Sequence, residues 1–264
     1  MTDLNTQTDT AQHNAPMAPV DLDTPVAAPA INGFAALGLM EPIVRAVAAE
    51  GYTTPSPIQM QAIGPLLAGR DLLGIAQTGT GKTAAFGLPL LQRLSENRQR
   101  PLPKTVRALI LAPTRELAIQ IEQSLQVYGR HLPLSRAAVY GGVGFQPQIK
   151  ALGRGLDILV ATPGRLMDLI RRNHVRLEMT QFLVLDEADR MLDMGFVQEV
   201  KRIVAMLPRQ RQSLLFSATM PADIAELAKQ MLIEPLRIEV TPAVVTVERI
   251  AQTLYFAEPA AKRD

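Results

Sequence analysis

From Phe34 onward, short apolar runs alternate with longer amphipathic stretches. Seven short runs lie at residues 71–76, 106–112, 137–140, 157–161, 181–185, 212–216 and 236–240; most are rich in Leu, Ile and Val, and 137–140 reads Ala-Ala-Val-Tyr. Their length and near-continuous apolarity predict strands of a parallel sheet covered on both faces. Between them the apolar period lengthens to that of a helix. Residues 115–128 place Leu117, Ile121, Leu125 and Tyr128 on one face, with Gly129 at the expected C-terminal cap. Residues 165–172, 196–207 and 221–232 behave alike, and Pro221 suits a first helical turn. Strands alternating with helices predict an α/β domain built on a mainly parallel sheet, with ligands bound beyond the carboxyl ends of the strands.

Residues 1–32 carry Thr, Ala, Pro, Asp, Asn and Gln and few large apolar side chains. Such a segment buries too little surface to offset its ordering entropy, so a disordered tail is expected there. The domain is expected over 33–242. Residues 243–264, ending in Ala257-Glu-Pro-Ala-Ala-Lys-Arg-Asp264, read as the start of a linker to a further domain.

Composition narrows the chemistry. The 264 residues contain no Cys and only three His, far apart in sequence, which excludes disulfides and makes a thiolate or imidazole metal centre a poor reading. Residues 1–33 hold four Asp and no Lys or Arg, so this −4 and the net +2 leave +6 for the remainder. A mildly basic body suits a polyanionic partner. Neither a secretory leader nor an apolar run of membrane-spanning length is visible, and a cytoplasmic protein is expected.

Two motifs carry the chemistry. Ala76-Gln-Thr-Gly-Thr-Gly-Lys-Thr83 follows the first strand and opens a helix, as in a phosphate-binding loop, with Ala76 where the general pattern has Gly. Ala76, Gln77, Thr78, Gly79, Thr80 and Gly81 would offer backbone N–H groups to phosphates, and Lys82 would reach the β/γ-phosphates. Pro89 is expected to kink or end the helix that follows. The apolar run 182–185 ends in Asp186-Glu-Ala-Asp189. Asp186 and the Thr83 hydroxyl could hold Mg²⁺, and Glu187 could orient or deprotonate a water. Alone, that tetrad reads equally well as a charged helix cap; beside a phosphate loop the catalytic reading prevails.

Asp186-Glu-Ala-Asp189 is the signature that names the DEAD-box RNA helicases, and the chain resembles the first RecA-like lobe of that family over about Phe34 to Asp264. Seven motifs occur in order. Gly51-Tyr-Thr-Thr-Pro-Ser-Pro-Ile-Gln59 resembles the Q motif, with Phe34 as its upstream aromatic. Pro113-Thr-Arg-Glu-Leu-Ala118 resembles motif Ia, Gly141-Gly142 the GG doublet, Thr162-Pro-Gly-Arg165 motif Ib and Ser217-Ala-Thr219 motif III. Met191-Leu-Asp-Met-Gly-Phe196 and the short Pro-rich segment before Val106 look most like the bacterial RhlE-type branch.

The resemblance implies a RecA-like phosphate-loop fold, the cofactors ATP and Mg²⁺, and catalytic Lys82, Asp186 and Glu187. It implies that Gln59 selects adenine, that Phe34 stacks on the base, and that Ser56 ties the Q motif to the phosphate loop. Pro113, Thr114, Arg115, Gly141, Gly142, Thr162, Pro163, Gly164 and Arg165 would meet RNA phosphates independently of sequence. Asp189, Ser217 and Thr219 would couple the two sites, although Thr219 could also cap the next helix. The partner implied is RNA, in the setting of ribosome assembly or RNA degradation, without a membrane.

The family's second lobe, with its arginine fingers, has no counterpart in these residues, and such fingers are worth about 10³–10⁵ in rate. The isolated chain is therefore expected to bind nucleotide weakly, hydrolyse ATP poorly and leave RNA duplexes intact. Two other classes compete: a non-catalytic nucleotide- or RNA-binding module, against which Glu187 speaks, and another phosphate-loop enzyme such as a DNA helicase or small-molecule kinase, against which the Q motif and residues 113–118 speak.

Overall fold

A computed structural model describes residues 32–97 and 99–240. The expected tail (apart from Asn32) and linker lie outside the described residues. A 3₁₀ turn at Ala35–Leu37 leads into α1 (Glu41–Ala49) and α2 (Pro57–Leu67). Next come β1 (Leu72–Ala76), α3 (Lys82–Glu96), β2 (Val106–Leu111), α4 (Arg115–Tyr128), β3 (Arg136–Val139) and α5 (Phe145–Leu152). They are followed by β4 (Leu156–Ala161), α6 (Pro163–Arg171), β5 (Phe182–Leu185), α7 (Ala188–Asp193) and α8 (Val197–Met206). β6 (Gln212–Ser217), α9 (Ala222–Met231) and β7 (Leu236–Val240) complete the described fold.

All seven strands join one parallel sheet in the order β3-β4-β2-β5-β6-β1-β7. The continuous apolar runs follow from burial on both faces. In β2, Ala108 and Ile110 pack with α1–α4, whereas Leu109 and Leu111 pack with α5–α9. In β5, Phe182 and Val184 face the first layer, and Leu183 and Leu185 the second. Two cores thus sandwich the sheet, each lined by every second strand residue.

The edge strands depart from the expectation of full burial. In β3 only Val139 is buried, and in β7 only Ile238. An edge has a neighbour on one side alone, and Arg136, Arg237 and Glu239 occupy these strands as charges that discourage further pairing.

Pro89 does not end α3, which runs unbroken from Lys82 to Glu96. Its ring removes one helical N–H donor, and the burial of Ala84–Gln92 and Leu94 outweighs that local loss. α6 begins at Pro163, earlier than its apolar period suggests, because proline's fixed φ fits the first helical position. Pro221 is the N-cap residue of α9, one position before its first turn. Leu117 is only partly buried and lines the nucleotide-sized cavity described below, while Ala118 joins Ile121, Leu125 and Tyr128 in the core.

Candidate functional site

The loops beyond the carboxyl ends of the strands divide into two groups. Those after β1, β5 and β6 hold residues 76–83, 186–189 and 217–219; those after β2, β4 and β3 hold 113–115, 162–165 and 140–142. Strand order places the first three strands together and the last three together. Both groups share one edge of the sheet.

A cavity of about 460 Å³ lies over the first group. Thr78, Gly79, Gly81, Lys82, Thr83, Asp186, Glu187, Gln59 and Tyr52 line it. Among the described residues, the N–H groups of Thr78, Gly79, Thr80 and Gly81 make no hydrogen bond, so they form a nest open to an anion at the start of α3. The Thr80 hydroxyl donates to the Gln77 carbonyl at 2.9 Å and shapes the turn.

α2 fastens this loop. Ser56 and Gln59 form a capping box, in which the Ser56 N–H donates to Gln59 Oε1 at 2.8 Å. The same side chains reach across: Ser56 Oγ donates to the Thr80 carbonyl at 2.8 Å, and Gln59 Nε2 to the Gly81 carbonyl at 3.1 Å. Gly81 has φ +92°, and a Cβ there would lie 2.5 Å from Gln59 Nε2. Backbone conformation and close approach both require glycine.

Lys82 is 6% exposed, and its Nζ donates to the Ala76 carbonyl at 3.0 Å while lying 4.0 Å from Asp186 Oδ1. Burial pushes the Asp186 carboxyl up to about 6; Lys82 opposes this, Glu187 adds to it, and the Glu187 N–H donating at 3.1 Å opposes it. A buried carboxylate under-compensated by one ammonium favours an additional cation. With the Thr83 hydroxyl it supplies two hard oxygen donors, which fits Mg²⁺. No cluster of three or more acidic, His or Cys side chains among the described residues could hold a metal alone, so phosphate and water oxygens would complete the coordination.

Glu187 adopts a left-handed conformation, φ +54° and ψ +54°, as it caps α7. A non-glycine residue held there costs about 1–3 kcal/mol, a strain typical of functional turns. Its Oε2 lies 3.3 Å from Arg190 Nη1.

Phe34 does not face the cavity. Its ring is 1% exposed within the core, and the expected base-stacking role is corrected on that ground. Tyr52, 46% exposed, supplies an aromatic in the cavity, set edge-to-face on Tyr128 with centroids 6.3 Å apart. The sequence held this signal inside the Q-motif match, at the residue after Gly51.

Asp189 spans to the β6 loop. Its Oδ2 accepts from Thr219 N and Oγ1, both at 2.9 Å, and from Ala218 N at 3.2 Å, while Ser217 Oγ accepts from the Asp189 N–H. Burial alone would raise the Asp189 carboxyl, but these bonds and that from Arg190 N outweigh it and hold it below its ordinary value. The Thr219 hydroxyl is thus spent on Asp189, and α9 has no side-chain cap.

In the second group, Thr114 caps α4 by accepting from the Leu117 N–H at 3.2 Å, and Arg115 follows as its first residue. Pro113 is buried beside it. Thr162 caps α6, and its N–H donates to the Val139 carbonyl at 3.0 Å, with Pro163, Gly164 and Arg165 in the first turn. Gly141 and Gly142 are exposed, and Gly142 has φ +79°. The three loops converge, since Arg115 lies over the Tyr140 ring and Arg165 Nη2 donates to the Val143 carbonyl at 2.9 Å.

A phosphate loop on a fully parallel α/β sheet, facing an acidic strand end, defines a RecA-like nucleotide-binding domain. The chain belongs to the DEAD/DEAH box helicase family, whose model matches residues 56–227. It is 45% identical over 223 residues to the ATP-dependent RNA helicase DeaD of Escherichia coli, covering 84% of this chain and 35% of that protein. It is 46% identical over 222 residues to the RNA helicase CrhR of Synechocystis, covering 84% and 44%, and 40% identical over 243 to the DEAD-box ATP-dependent RNA helicase RhpA of Helicobacter pylori, covering 92% and 48%. The crystal structure of a DEAD box protein from Methanococcus jannaschii superposes with a TM-score of 0.74 at 38% identity, over 79% of this chain and 56% of that one. The chain spans less than half the length of these curated relatives.

Proposed function

We propose that this chain is the ATP-binding lobe of an ATP-dependent RNA helicase, which couples ATP hydrolysis to local duplex opening when joined to a second lobe. The observation that carries the reading is the shared cavity: Gln59, Lys82, Thr83, Asp186 and Glu187 line one space of nucleotide size. Tyr52 stacks on adenine and Gln59 pairs with its edge, using the lone pair and N–H left over from Ser56 and Gly81. The loop N–H groups and Lys82 hold the phosphates. Thr83 and Asp186 would hold Mg²⁺, which would supply neutralisation of charge developing on the phosphates. Glu187 aligns the attacking water in line with the γ-phosphate and takes its proton.

The loops around Arg115, Gly142 and Arg165 bind the RNA backbone, and Asp189 with Ser217 and Thr219 transmits the nucleotide state to them. Duplex opening follows from two lobes closing on one strand and bending it, so the single lobe turns ATP over slowly. A cytoplasmic setting in ribosome assembly or RNA degradation fits a sequence-independent RNA grip, and residues 191–196 support the RhlE-type branch. Among the described residues no helix is long and apolar enough to cross a membrane.

The test compares nucleotides and nucleic acids on one protein. ATP is expected to bind in preference to GTP, and single-stranded RNA in preference to DNA of the same sequence. Equal binding of RNA and DNA would overturn the RNA reading and favour a DNA-directed enzyme. Substitution of Glu187 by Gln, in a protein carrying both lobes, is expected to lower turnover about 10²–10⁴-fold while ATP still binds; unchanged turnover would favour a non-catalytic module.

A further inference from the structure

The loop after β3 runs Tyr140-Gly-Gly-Val-Gly-Phe145, with an aromatic at each end. Each aromatic carries a guanidinium: Arg115 Cζ lies 5.3 Å from the Tyr140 centroid, and Arg165 Cζ lies 4.1 Å from that of Phe145. Phe145 holds a second cation as well, with Arg172 Cζ at 4.7 Å. Arg172 belongs to none of the motifs above. It caps the C-terminal end of α6, one residue after Arg171, so the ring at the start of α5 gathers arginines from both ends of α6.

These charges are unbalanced. Among the described residues, none of Arg115, Arg165 and Arg172 has a carboxylate within 4.0 Å, although exposed neighbours such as Arg171 do. Arg165 Nη1 is buried without a hydrogen-bond partner. An N–H left so costs stability, as does holding two like charges on one ring. Cation–π attraction offsets part of this, and a polyanion would offset the rest.

We propose that Phe145 is a positioning residue that assembles Arg165 and Arg172 into one two-guanidinium phosphate site, and that Arg172 is an RNA-backbone contact beyond the family motifs. Tyr140 orients Arg115 in the same way on the other side of the glycines. The inference rests on the RNA reading above and extends it by a contact about two turns of α6 away from Arg165. A single-stranded backbone crossing the Gly141–Gly142 loop then meets a continuous basic track set by two rings.

The experiment titrates a fluorescent oligouridylate against the chain over a series of salt concentrations, with thermal melting of each variant in parallel. Arg172→Gln is expected to weaken binding and to lower the salt slope by about 0.7, the loss of one phosphate contact on a single strand. Phe145→Leu is expected to weaken binding about 3- to 30-fold. Its effect should vanish when Arg165 and Arg172 are already Gln, because the ring acts only through them. Phe145→Tyr, which keeps the ring, should restore affinity. Unchanged affinity and slope in Arg172→Gln would overturn the proposed contact. Equal losses from Phe145→Leu in the presence and absence of the two arginines would reduce the ring to packing. If Arg165→Gln itself leaves RNA binding intact, the RNA reading of these loops fails first, and the proposal fails with it.

Discussion

The carboxylate of Asp189 accepts two hydrogen bonds from Thr219, one from the backbone N–H and one from the hydroxyl, both at 2.9 Å. A residue of the acidic tetrad is thereby locked to the loop after β6, 30 positions away in sequence. Asp189→Asn is expected to cost about 1–2 kcal/mol, since hydrogen bonds to a charged acceptor exceed neutral ones but this site is partly exposed. The cost is also pH-dependent. The folded carboxyl titrates below its ordinary 3.8, so its stabilisation is present above that value and lost as pH falls through the lower folded value. The difference in Tm between the parent and Asp189→Asn should therefore shrink on acidification from pH 5 to below 3. A difference that stays constant over that range would contradict the linkage.

Substitutions at Tyr52 and Phe34 separate the proposed base stacking from core packing. Tyr52→Ala should weaken ATP binding by the equivalent of about 1–3 kcal/mol, the usual worth of an aromatic under a base, with little change in Tm. Phe34→Ala should instead destabilise the fold by about 3–5 kcal/mol, because its ring is wholly buried. Nucleotide titration and denaturant unfolding on both variants would show the opposite pattern if Phe34 were the stacking residue.

Gly81→Ala tests the fastening of the phosphate loop to α2. The new methyl would collide with Gln59 Nε2 and would sit at a positive φ. Loss of the Gln59–Gly81 and Ser56–Thr80 hydrogen bonds is expected, with at least about tenfold weaker ATP binding. Calorimetric titration that finds parental affinity would show the fastening to be dispensable.

Lys82→Ala should weaken Mg-ATP binding roughly 10- to 100-fold, the worth of a charge-assisted bond to phosphate. The variant also leaves Asp186 without its nearest cation, so the carboxyl should rise further from its already elevated value. Proton uptake measured on the ligand-free variant, larger than that of the parent near neutral pH, would register this.

Much of the fold and site was legible in sequence because each local segment agrees with its final state. Seven runs became seven strands to within one residue at each end, since the inner strands of a parallel sheet are covered on both faces and demand near-continuous apolarity, whereas the edge strands β3 and β7 bury one residue each. The phosphate loop and the tetrad announced themselves because backbone conformation and charge are local properties. α2 was not expected, although its start signal stands in the sequence: Ser56-Pro-Ile-Gln59 is a capping box with proline at the first helical position, which an apolar-period reading passes over.

Sequence by itself determined the seven strands, the helices α3, α4, α6, α8 and α9, their order along the chain and the residue types available for phosphate and metal, while α1, α2, α5 and α7 emerge only in the fold. It could not determine that β6 would slot between β1 and β5, bringing Lys82 within 4.0 Å of Asp186 and Thr219 onto Asp189. Nor could it show that Phe34 is interior while Tyr52 faces the cavity, or that Phe145 collects two arginines from α6. Those outcomes depend on strand order and on which face each helix covers. Both are set by the simultaneous burial of two apolar layers, a property of the whole chain that no single window contains.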